Sequence, residues 1–189
     1  MKVFINPGHA PNGEPDPGAI SPFTGVHEAE IAWTVGKLVS QYLNAAGIET
    51  ETLQSDSLVE IAFSANSSGA DAFVSIHCNS FGNPNANGVE TWVFDVNGDN
   101  TANGSRAEKL GQCIQAQILD TFHQTDRGVK YATIGEDGLY VLTNTDMPAC
   151  LVELGFISNP REEELMRTKQ DEYARAIARG VTDYQQALS

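Results

Sequence analysis

Short apolar runs alternate along the chain with stretches of helical period. The runs at residues 2–6 (KVFIN), 48–52, 72–77 (AFVSIH), 88–94 (GVETWVF), 139–142 (LYVL) and 149–154 (ACLVEL) predict strands, several of them apolar on both faces as buried strands are. Between the first two runs, residues 27–46 place Ile31, Val35, Leu38 and Tyr42 on one stripe, turn Glu30, Lys37 and Gln41 to water, and stop at Gly47. Ser57-Leu58-Val59-Glu60 is a capping box that opens a second helix, which Gly69 closes. Residues 105–122 predict a third, with Ala107, Leu110, Ile114 and Ile118 inward. Asn159-Pro160-Arg161-Glu162 reads as an N-cap, a proline at the first helical position and a carboxylate at the third. A last helix carries Tyr173, Ile177, Val181, Tyr184 and Leu188 in register and should pack across the sheet. This alternation implies one α/β domain, a central and mostly parallel sheet of about six strands with helices on both faces. No repeat or interdomain linker interrupts it, and residues 97–104, rich in Asn, Gly and Asp, read as a surface loop.

Composition narrows what such a domain does. At 189 residues it buries enough surface to fold without a metal or disulfide as a strut. Hydrophobic residues make up 41% and charged residues 19%, with no long apolar run, so a soluble globular chain without a membrane span is expected. A net charge of -14 argues against nucleic acid and against anionic surfaces as partners. Cys78, Cys113 and Cys150 are odd in number and widely spaced, which suggests buried free thiols. The first residues pass straight into strand and turn with no leader pattern, as expected of a chain made in the cytoplasm or of one whose leader has been removed.

Four chemical side chains stand where a packing pattern does not call for them. Glu28 lies three residues before Ile31 and so on the sheet-facing side of its helix, although a carboxylate there also suits the positive end of the helix dipole. His9 follows the turn Asn6-Pro7-Gly8, and His77 ends a strand; either could be a structural histidine. Glu153 is the one charge in the apolar run "ACLVELGF", and that strand supplies no Lys or Arg to pair with it. All four fall after strands or at their ends, or open a helix after a strand, at the edge of an α/β sheet where sites form. Two imidazoles and a carboxylate are a zinc ligand set that leaves one position open for water, with Glu153 as the general base.

The stretches "INPGHAPNGEPDPGAI", "HEAEIAW", "DAFVSIHCNS", "DRGVK" and "MPACLVELGFISNPREEELM", in this order and nearly end to end, resemble the zinc-dependent N-acetylmuramoyl-L-alanine amidases of the amidase_3 family. The resemblance implies one catalytic domain over residues 1–189, with no separate wall-binding module detected. It implies one zinc ion held by His9, Glu28 and His77, and Glu153 as the catalytic acid and base. Asn79 and Arg127 fall in family-like motifs and would bind substrate or support the site. The implied reaction cleaves the amide between the lactyl group of N-acetylmuramic acid and L-alanine, which strips stem peptides from peptidoglycan.

Two departures matter. His27 stands where family members often carry Leu or Arg, and helix geometry turns it about 100° from Glu28. Cys78 is a possible thiolate ligand, but strand alternation points it away from His77. The connection "DVNGDNTANG" is too short and polar for a helix that plugs the site, so no activator protein is expected. Action at the cell wall would then follow phage-type release or excision from a longer autolysin. The alternatives are a zinc carboxypeptidase or aminoacylase acting on another amide, and a silent wall-binding adaptor that uses the metal only to fold.

Overall fold

The computed structural model describes residues 1–94, 102–132 and 139–188. Its strands are β1 (Lys2–Pro7), β2 (Glu49–Thr52), β3 (Ala72–Asn79), β4 (Val89–Phe94), β5 (Asp126–Ala132) and β6 (Ala149–Phe156). Its helices are α1 (Glu28–Ala45), α2 (Leu58–Ser67), α3 (Ala102–Phe122), α4 (Tyr140–Thr143), α5 (Pro160–Thr168) and α6 (Gln170–Ala187). The strands form one six-stranded sheet in the order β2-β1-β3-β6-β4-β5. β2, β1, β3 and β6 run parallel; β4 is antiparallel to β6, and β5 follows β4.

Strand alternation sorts the core into two layers. Val3, Ile5, Val74, Ile76, Val152 and Leu154 face α1, α3 and α6, while Phe4, Phe73 and Leu151 face α2 and α4. On the first face α3 and α6 approach so closely at Gly180 that a Cβ there would lie 2.5 Å from the Ile114 Cα. On the second, the Phe4 and Phe73 rings stack with centroids 5.8 Å apart. The carboxyl ends of β1, β3 and β6 meet on one edge, which is where the chemical residues collect.

Several elements differ from the sequence pattern. Residues 139–142 form no strand: they give the helical turn α4, whose Val141 and Leu142 plug the second layer. Four apolar residues fit a buried turn as well as a buried strand. The sixth strand is β5, an edge strand largely open to water, whose polar "DRGVKYA" lacks a buried run. The buried row of α1 is Ile31, Val35, Val39 and Leu43; Leu38 and Tyr42 are partly buried beside it. Helix α3 begins at Ala102, so the last residues of the expected loop 97–104 are helical, and 97–101 lie outside the described residues. Leu188 is exposed at the end of α6 and does not join its buried face. All three cysteines are free thiols; Cys78 and Cys150 are buried and Cys113 is half-buried.

Candidate metal and catalytic site

The loop leaving β1 is built around His9. Gly8 donates its N–H to the Ile76 carbonyl at 2.9 Å. A Cβ on Gly8 would lie 2.3 Å from His77 Cε1, so only glycine lets the two histidines converge. His9 itself takes a left-handed backbone (φ 64°), uncommon for a residue with a side chain. The buried Gln54 fixes this turn against α1, donating from Nε2 to the carbonyls of Gly8 (2.9 Å) and Ala29 (3.0 Å).

Glu28 sits in the first turn of α1, with His27 as the N-cap residue. It is buried, 4% exposed, and both its oxygens are engaged. Oε1 meets His9 Nε2 at 3.0 Å and His77 Nδ1 at 2.9 Å, and accepts the Cys78 N–H at 2.9 Å. Oε2 accepts the Ala19 N–H at 2.9 Å. The turn before α1 closes round them: Asp16 Oδ2 is 2.8 Å from His9 Nδ1, and a Cβ on Gly18 (φ 67°) would strike the His9 ring at 2.5 Å and Glu28 Oε2 at 2.7 Å.

One ligand atom from each of His9, Glu28 and His77 lies within 4.8 Å of the others. Burial alone would raise the Glu28 pKa, but the His77 and His9 imidazoles outweigh it and hold the carboxyl far below its usual range. Burial would likewise lower His9, yet Glu28 and Asp16 lift it to about 9. Without metal the carboxylates thus favour a proton on His9, which a cation would displace; two ring nitrogens and one carboxylate are a donor set that fits a first-row divalent cation. Asp16 on the far nitrogen of His9 is the outer partner such a ligand normally has.

Glu153 lies next to this cluster. In the sheet its Cα is paired with that of His77 on β3 and that of Glu90 on β4. Its Oε2 is buried and has no hydrogen-bond partner among the described residues. Burial, then the negative charges of Glu28 and Glu90, push its pKa well above the usual carboxylate range, with only His9 pulling the other way. A carboxylate so poised is ready to accept a proton.

Asn79 and Arg127 are drawn together by a residue that the sequence pattern did not single out. Glu90, 3% exposed, accepts from Asn79 Nδ2 (2.9 Å) and Trp92 Nε1 (3.1 Å) on Oε1. Its Oε2 accepts from Arg127 Nε (2.5 Å) and Lys130 Nζ (2.7 Å). The signal was present as a lone charge in the apolar run "GVETWVF", the same signal that marked Glu153. His27 stays outside the ligand cluster, its Nδ1 buried without a hydrogen bond among the described residues. Cys78 is buried in the opposite layer and offers Glu28 only its backbone N–H. An open groove of about 290 Å³ runs past the cluster, lined by Gly8, His9, His77, Ser55, Leu58 and Tyr140 among others.

The model of the N-acetylmuramoyl-L-alanine amidase family (Amidase_3) matches residues 3–183. The chain belongs to that family. Among its relatives, the N-acetylmuramoyl-L-alanine amidase LytC of Bacillus subtilis (strain 168) is 34% identical over 96% of this chain. An uncharacterized protein of the same organism, YqiI, is also 34% identical over 96% of the chain. The chain spans 84% of YqiI but 35% of LytC, so it corresponds to about a third of the longer relative. A crystal structure of an N-acetylmuramoyl-L-alanine amidase from Clostridium difficile 630 superposes with a TM-score of 0.83 at 31% identity, covering 100% of this chain and 98% of that one. Family and fold thus make the chain a peptidoglycan amidase, ahead of a carboxypeptidase, an aminoacylase or a silent adaptor. Among the described residues no helix is long and apolar enough to cross a membrane.

Proposed function

We propose that this amidase is zinc-dependent, that His9, Glu28 and His77 hold the ion, and that Glu153 is the general base and acid. The reading is carried by one observation: a buried carboxylate oxygen with no partner among the described residues stands beside three side chains that could hold a metal. Zinc held there would supply a Lewis acid that polarises the scissile carbonyl and acidifies water.

The chain's own groups do the rest. Asp16 keeps the His9 ring turned so that Nε2 faces the cluster. Glu28, tied by the N–H groups of Ala19 and Cys78, cannot swing out to solvent. The groove beside His9 and His77 takes the muramoyl lactyl group and the first residues of the stem peptide. Glu153 accepts a proton at Oε2 from the attacking water and returns it to the departing alanine nitrogen. The products are a free amine on L-alanine and a lactyl carboxylate. Asn79 and Arg127 support the site through Glu90. No activating protein is needed on this reading, because residues 95–101 alone join β4 to α3.

Replacing Glu153 with Gln keeps the side-chain volume and removes the base. Turnover should fall by roughly a hundredfold or more while zinc content stays at one per chain. A Glu153→Gln variant with near-normal turnover would mean that the base lies elsewhere.

A further inference from the structure

The residues His77, Glu153 and Glu90 form a row across three adjacent strands, each Cα paired with the next. Adjacent strands lie about 4.8 Å apart, so a cation reaching Glu90 from β5 is within a side chain's reach of Glu153. Two such cations exist in a chain that has only 11 Lys and Arg against 25 Asp and Glu. Both Arg127 and Lys130 close on a single oxygen of Glu90. One cation neutralises a carboxylate; the second is more than the burial of Glu90 requires.

Further contacts hold the pair in place. The Arg127 guanidinium lies 4.9 Å from the Phe156 ring centroid, and Lys130 Nζ lies 5.2 Å from that of Trp92. Asn79 and Trp92 occupy the other oxygen of Glu90, which fixes the carboxylate's rotation and keeps Oε2 toward the cations. Glu153, one strand away, is left with a buried oxygen that no donor reaches among the described residues.

We infer that Glu90 is a positioning residue that sequesters Arg127 and Lys130, so that neither closes an ion pair on the oxygen of Glu153 that must accept the proton. A guanidinium or ammonium on that oxygen would occupy the lone pair that must take the proton. Glu90 therefore acts on catalysis without touching substrate or metal. The inference rests on the assignment of Glu153 as base.

The test compares three variants by kcat, KM, zinc content and crystal structure. In Glu90→Gln the released cations should turn to Glu153: kcat falls by roughly tenfold or more, KM and zinc content hardly change, and Arg127 or Lys130 appears within about 4 Å of the Glu153 carboxylate. Adding Arg127→Gln and Lys130→Gln to that variant removes the migrating charges and should bring kcat back to within about tenfold of wild type. A purely structural Glu90 gives the opposite result, since the triple variant loses more contacts and is no better than Glu90→Gln. That outcome, or a Glu90→Gln structure with both cations away from Glu153, overturns the inference. If Glu90→Gln does not fold, the triple variant decides by the same tenfold criterion against wild type. Glu153→Gln separates the two levels: an active Glu153→Gln sinks the base assignment, whereas an inactive one with no recovery in the triple variant sinks only the role of Glu90.

Discussion

Glycine is demanded at the two points where the ligand side chains crowd. Gly8 and Gly18 each leave a space that a Cβ would fill with ring or carboxylate atoms, and Gly18 also needs a positive φ. Gly18→Ala should therefore weaken zinc binding by at least about tenfold and lower stability by on the order of 1 kcal/mol, read by chelator competition and denaturant unfolding. Asp16→Asn removes the charge behind His9 and should cost about 10–100-fold in metal affinity with little change in folding. Glu153 gives a contrary sign. Its folded pKa is raised, so the fold favours the protonated form and is penalised above the unfolded carboxyl pKa. Glu153→Gln should thus raise the Tm of the metal-free protein at pH 7, with the gain fading as pH falls through the acid range. A Tm that drops in the variant at pH 7 would contradict that burial cost. The convergence of His9, Glu28 and His77 beside Glu153 was foreshadowed in the sequence: Glu28 and Glu153 are charges set in apolar patterns, and His9 and His77 follow or end strands. Glu90 carries the same mark, but its meaning depends on Arg127 and Lys130, which reach it only across the β4–β5 pairing. Spacing along the chain does not reveal that pairing.

At the scale of elements, the strongly periodic segments were readable and the edges were not. Helices α1, α2, α5 and α6 announce themselves by caps and buried stripes; Ser57 accepts from the Glu60 N–H and Asn159 from those of Arg161 and Glu162. Asn159→Ala should cost about 1 kcal/mol through loss of that cap. β5 escaped notice because an edge strand needs no apolar alternation, and the run at 139–142 misled because Val141 and Leu142 are buried from a helical turn and not from a strand. The reversal of β4 against β6 depends on long-range pairing that no local pattern encodes. Packing between α3 and α6 makes a sharper test: Gly180→Ala drives a methyl into the backbone of Ile114 and Cys113 and should lower stability by about 1–3 kcal/mol. If the melting transition were unchanged, the close approach of these helices would be wrong.

Across the whole molecule, folding and chemistry draw on different parts. Two continuous apolar layers, one under α1, α3 and α6 and one under α2 and α4, stabilise the chain without any ligand. Glu90 adds a pH-dependent share. Burial would raise its pKa, but Lys130 and Arg127 outweigh that and hold it below the usual carboxylate range. Its contribution is present above the unfolded value and is lost as pH falls through the folded one. The urea midpoint should therefore decline below about pH 4.5, and less steeply in Glu90→Gln. On the proposed reading His9, Glu28 and His77 hold the zinc at one sheet edge, so removing metal should abolish turnover while the fold persists. The most direct test is to incubate the protein with purified peptidoglycan as isolated, after chelation, and after zinc is restored, and to read the products by mass spectrometry. Stem peptides beginning with a free L-alanine amine, lost on chelation and recovered with zinc while the circular dichroism stays constant, are the expected result. A folded, zinc-loaded protein that releases no such peptides, or one that releases them equally well without metal, would contradict it.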